Sequence, residues 1–151
     1  MKAEFVEYIK AIGLTETLTH RVHAFHDFCR VVCPDEIERI FISEYITQEG
    51  GRVFESVWFI SNMYAMEAKE FAVKEDYDIA LVSQPIGYLS VQMQDYDLSK
   101  ATEKSRLTIK VILSGVGLAG TSGGMKASKE NCDFLWKLIR EYFLPKLKLK
   151  A

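Results

Sequence analysis

The sequence predicts an α+β fold: a helical hairpin, then six or seven antiparallel strands, then one closing helix. Three observations predict it. Apolar residues recur at helical spacing up to Cys33. From residue 36 to Leu113 the period shortens to two, and β-branched and aromatic residues dominate. The last periodic segment, about 129–144, is helical again and stops at Pro145. Helices and strands are thus segregated rather than alternating as in a parallel βαβ sheet.

Each element has its own signal. Residues 2–12 carry Phe5, Ile9 and Ile12 at i, i+4, i+7, flanked by Val6 and Tyr8. Gly13 suits the left-handed conformation that ends a helix, and Thr15 supplies a capping hydroxyl for the next. That second helix, Glu16 to Cys33, shows a narrow seam of Leu18, Val22, Phe25, Cys29 and Val32, and Pro34 ends it. "IERIFISEYITQEGGRVFESVWFISNMYAMEAKEF" is divided by Gly50 and Gly51 into a hairpin, and a break near Asn62 opens a third strand through Phe71. "KEDYD" turns the chain. "IALVS" and "IGYLSVQMQDYDL" flank Gln84 and Pro85 as two more strands. "RLTIKVIL" sets Leu107, Ile109, Val111 and Leu113 on one face, and "GGMKA" reads as a short final strand. Ser128 is expected to cap the last helix, with Glu130 in its first turn. Phe134, Leu135, Leu138 and Tyr142 form its buried stripe, widened by Trp136, Ile139 and Phe143.

Bulk properties bound the function. The 151 residues favour a single domain: a helical hairpin over 1–34, strands and terminal helix over 36–144, and a basic tail over 145–151. With 19 basic and 21 acidic residues the net charge is −2, which offers no field for nucleic acid. Cys29, Cys33 and Cys132 are too few and odd in number for a disulfide framework. Glu4 and Glu7 interrupt the N-terminal segment, unlike a signal peptide, and no apolar run reaches the ~20 residues of a membrane span. A cytoplasmic chain is expected.

"VILSGVGLAGTSGG" spells two motifs at once. Gly115, Gly117 and Gly120 give G-x-G-x-x-G, but a dinucleotide site needs a helix beginning at once to hold the pyrophosphate, and "TSGGMKAS" is a poor helix former. Gly120, Ser122 and Gly124 give G-x-S-x-G, but a nucleophile elbow needs the same helix, and the histidines, His20, His23 and His26, all lie upstream. Both give way to a glycine-rich connection between strands. Helical spacing brings His26, Cys29 and Cys33 within about 60° of arc, and Cys132 would be a fourth ligand for zinc. No close Cys-x-x-Cys pair accompanies them, so small core cysteines are the simpler reading. Asp76/Asp78 and Asp95/Asp97 are carboxylates at i, i+2 that would face one way on a strand and could serve a metal or acid–base role, but beside turns they are expected to be solvated. Lys137, Arg140, Lys146, Lys148 and Lys150, among apolar residues, would allow weak contact with an anionic membrane surface, though a solvated helix face and a frayed basic tail are the simpler reading. No catalytic residue, metal or cofactor is assigned.

The hairpin around "ITQEGGRVF", the "VWFISN" strand, "SVQMQDYDLSKATEKSRLTIKVIL" and "GMKASKENCDFLWKLI", a strand running straight into a helix with Trp136, carry a resemblance. Residues 36–144 resemble the pleckstrin-homology-like superfold, especially its bacterial members. The resemblance implies a seven-stranded barrel plugged at one end by the last helix, in a class composed mostly of modules that bind phosphoinositides or proteins. Its lipid-binding members place basic residues around the first strand-to-strand loop. Here that loop reads Thr47 to Arg52; only Arg52 matches, and Glu49 opposes it. The candidate binding loop is therefore Gly50, Gly51 and Arg52. The expected function is a non-enzymatic binding or scaffolding domain that engages another protein or a second copy. The alternatives are a small-ligand binder or enzyme on a helix-plus-curved-sheet cone similar to nuclear-transport-factor-like folds, and a membrane-surface adaptor.

Overall fold

The computed structural model describes residues 1–47, 49, 51–83, 88–94, 106–112 and 124–146. The N-terminal helices form as the sequence predicts. α1 spans Ala3–Ala11 and buries Phe5, Tyr8 and Ile9. Gly13 has φ +77°, where a side chain would be strained. α2 spans Glu16–Val32, and the Thr15 hydroxyl accepts from the Leu18 N–H at 3.2 Å, satisfying one orphan donor of its first turn. The buried stripe of α2 is Val22, Phe25, His26 and Cys29, continued by Cys33. Val32, expected in this seam, is exposed. Cys33 stands four residues beyond Cys29 and keeps the helix phase, whereas Val32 is rotated about 60° off it.

Seven strands follow among the described residues, in two antiparallel sheets. β1 (Ile37–Ile46), β2 (Arg52–Ser61), β3 (Tyr64–Lys69) and β4 (Ala80–Ser83) form an open four-stranded sheet in chain order. β5 (Tyr88–Gln94), β6 (Arg106–Ile112) and β7 (Gly124–Ser128) form a three-stranded one. The α+β class is as expected, but the single seven-stranded barrel that the resemblance implies is not shown: backbone ladders run within each sheet, and no ladder joins the two among the described residues. The third strand stops at Lys69, short of the expected Phe71. Glu70 takes φ +53° and turns the chain, yet Phe71 stays fully buried in the turn. On β2 every residue from Ser56 to Ser61 is buried, so both faces of this strand are covered. α2 covers one of them, with the His26 ring edge-on to Phe59 at 5.8 Å.

α3 spans Asn131–Leu138 and continues as a π-type turn, Ile139–Phe143, and a 3-10 turn, Leu144–Lys146. The wider turn keeps Leu138, Ile139, Tyr142 and Phe143 all buried. The start of this helix differs from expectation. Ser128 does not cap it; it is the last residue of β7 and is bonded to Glu44. Lys129 at φ +52° and Glu130 intervene before the helix begins.

Candidate functional site

The free edge of β1 is where the molecule is stitched together. A strand edge presents N–H and C=O groups that need partners once buried. At Ile42 the partners are side chains. The N–H of Ile42 donates to the Tyr8 hydroxyl at 2.9 Å, and its carbonyl accepts from Asn131 Nδ2 at 2.9 Å. Tyr8 in turn donates to Asn131 Oδ1 at 2.8 Å, closing a buried triangle among α1, β1 and α3. Burial pushes the Tyr8 phenol far above its usual range, so it stays a donor.

One residue further on, the pairing of β1 with β2 is irregular between Ser43 and Glu44. A bulge there leaves both side chains buried and re-aims them. The Ser43 hydroxyl accepts from the Lys126 N–H at 2.9 Å. Glu44 Oε1 accepts from the Ser128 N–H at 3.0 Å and from the Ser128 hydroxyl. Two side chains of β1 thus reach alternate N–H groups of β7, joining the two sheets, which share no backbone ladder among the described residues.

Glu44 Oε2 also accepts from Arg52 Nε at 2.6 Å. Arg52 Nη1 reaches the Ile12 carbonyl at 2.9 Å and Glu130 Oε1 at 2.7 Å. The one cation of the predicted binding loop is therefore turned inward, tying the end of α1 to β1 and to the start of α3. Gly51 donates to Thr47 Oγ1 at 2.9 Å, and a Cβ there would stand 3.1 Å from that oxygen. Gly50 lies outside the described residues.

The other sequence-derived candidates do not converge. Among the described residues no three His, Cys, Asp or Glu side chains come together as a metal would require. His26 packs on Phe59 with Nδ1 3.4 Å from Asp27, while Cys29 and Cys33 are buried in the core. Burial pushes the Cys29 thiol up to about 12. Asp76 and Asp78 are exposed, and Asp78 faces Lys74 at 3.5 Å. The glycine-rich stretch 115–123, the Asp95/Asp97 pair and Lys148 and Lys150 lie outside the described residues; Gly124 opens β7.

A feature the sequence reading missed lies beside the Tyr8 triangle. α1, the start of β1 and α3 enclose an open cleft of about 180 Å³. Its floor is apolar, from Phe5, Tyr8, Ile40 and Leu138, with Phe134 edge-on to Tyr8 at 4.7 Å. Its rim carries two acids, Glu4 and Glu141, and two bases, Arg39 and Lys137. The Arg39 guanidinium lies 5.1 Å above the Tyr142 ring, which holds it at the rim. Helical periodicity marks the two helices but not their approach, which depends on the Tyr8–Asn131 bond across 123 residues.

Comparison with known proteins finds no matching family model, no matching curated relative and no matching solved structure. The functional reading rests on the site's own chemistry. Among the described residues no helix is long and apolar enough to cross a membrane.

Proposed function

We propose that this chain is a non-enzymatic binding or scaffolding domain, a pleckstrin-homology-like barrel with an added helical hairpin, that docks a segment of another protein in the α1–α3 cleft. The cleft is the observation that carries the reading. Its volume of about 180 Å³ falls below the roughly 300–1,000 Å³ of pockets that enclose a metabolite. It suits one or two anchoring side chains of a peptide. The apolar floor would bury the anchor, and a rim with charges of both signs would orient the flanking residues.

The order of four strands, three strands and a terminal helix supports the barrel part of the proposal. So does the stitching of β1 to β7, which brings the first strand beside the last. The buried polar groups at this seam bond to one another and to backbone, rather than converging on an open reactive space. With two acids beside two bases, the cleft rim carries no excess positive charge to draw an anionic membrane.

Selection of a random-sequence peptide library displayed on phage tests the proposal, with wild type and Lys137→Glu as parallel baits. Wild type is expected to enrich peptides sharing an apolar anchor beside an acidic residue, and Lys137→Glu to bind them about tenfold more weakly. Peptides with no shared anchor, or held equally by both baits, would count against the cleft.

A further inference from the structure

Both acids of the α1–α3 cleft stand toward the same end of it. α1 and α3 run antiparallel: Arg52 bonds the Ile12 carbonyl just after α1 and Glu130 just before α3, and Tyr8 bonds Asn131 at the start of α3. Glu4, one turn before Tyr8, therefore lies toward the far end of α3, where Glu141 stands one turn beyond Lys137. Both carboxylates are exposed, and neither forms an ion pair among the described residues. The bases nearby are already engaged. Lys2 pairs with Glu36 at 2.9 Å, Lys146 with Glu38 at 3.4 Å, and Arg39 rests on the Tyr142 ring. This end of the cleft thus has an apolar floor and two carboxylates open to further cations.

The chain carries such cations where they can reach. The Lys146 ammonium lies 4.0 Å from the centroid of the same Tyr142 ring that carries Arg39 of the rim, so the residues after it start beside the acidic end. They read Leu147, Lys148, Leu149 and Lys150, an apolar–basic alternation that sets both leucines on one side of an extended segment. Four extended residues reach about 13 Å. The eight helical residues back from Lys146 to Leu138 of the cleft floor span about 12 Å. We infer that residues 147–150 dock in the cleft as a built-in competitor of its protein ligand. The leucines lie on the floor, and the long stems of Lys148 and Lys150 arch over apolar surface to place their ammonium groups at Glu141 and Glu4. The inference rests on the docking reading of this cleft and adds its regulation: an outside segment must displace one whose effective concentration, on so short a link, is about millimolar.

Methyl nuclear Overhauser spectra of the full chain, with no peptide added, read this docking directly. Wild type is expected to show contacts from the Leu147 or Leu149 methyls to Phe5, Ile40 or Leu138. The double variant Glu4→Lys with Glu141→Lys, both at exposed positions, is expected to keep its helical circular dichroism and to lose those contacts. A peptide selected on the wild-type chain is then expected to bind full-length Leu149→Asp about fivefold more tightly than wild type. Absence of the methyl contacts overturns the inference, even where a peptide still binds the cleft. So do contacts that survive the double variant, contacts seen only between differently labelled chains, and equal peptide affinity for wild type and Leu149→Asp. Contacts present in a chain that no peptide binds would sustain the inner docking and count against the outside ligand alone.

Discussion

Tyr8 does more than fill space. Its hydroxyl donates to Asn131 and accepts from the Ile42 N–H, so it satisfies polar atoms on two elements that backbone pairing leaves bare. Tyr8→Phe keeps the ring and strands both partners. It is expected to lower stability by about 2–3 kcal/mol in urea unfolding, well above the roughly 1 kcal/mol of an ordinary hydrogen bond. Arg52 offers a second test at this scale. Its partner Glu44 is wholly buried, so Arg52→Ala leaves a desolvated carboxylate and is expected to cost about 3–5 kcal/mol by the same measurement. A loss below about 1 kcal/mol would show that Arg52 is a solvated loop cation after all. The sequence announces neither role. Glu44 is legible only as a charge inside the apolar run "IFISEYI", and nothing in the spacing of Arg52 distinguishes an inward ion pair from a lipid contact.

Elements were more readable than the bonds between them. α1, α2 and the β1–β2 hairpin were legible because period, cap and turn residues agree at Gly13, Thr15, Pro34 and Gly51. The misreadings fall where tertiary contacts decide. Ser128 has the chemistry of a helix cap, but the bulged Glu44 claims its hydroxyl and N–H, and the helix starts three residues later. α2 also holds a titrating group on its buried face. Burial lowers the His26 imidazole below its ordinary value of 6.5, against the opposing pull of the adjacent Asp27. A depressed histidine means that the unfolded chain takes up the proton first. The stabilising preference for neutral His26 is therefore full above about 6.5 and is lost as pH falls from there toward the folded value. Urea midpoints are expected to fall more between pH 7.5 and pH 5.5 in wild type than in His26→Leu, whose side chain takes up no proton as the pH falls. Equal falls in the two proteins would place the acid sensitivity elsewhere.

At the scale of the whole molecule, four strands and three strands meet along β1, whose backbone at Ile42 is held by side chains of α1 and α3 and whose Ser43 and Glu44 side chains reach β7. That meeting creates the cleft, and it explains why the cleft was invisible in the sequence. Glu4, Arg39 and Lys137 come from three distant segments, and only long-range side-chain bonds bring them to one rim. The most direct measurement is an amide chemical-shift titration of the isotope-labelled chain with a peptide selected on the wild-type protein. Docking in the cleft predicts shifts clustered on α1, at Arg39 and Ile40, and from Phe134 to Glu141. Shifts clustered instead on the β1–β2 turn, on α2, or in the glycine-rich stretch 115–123 would contradict it.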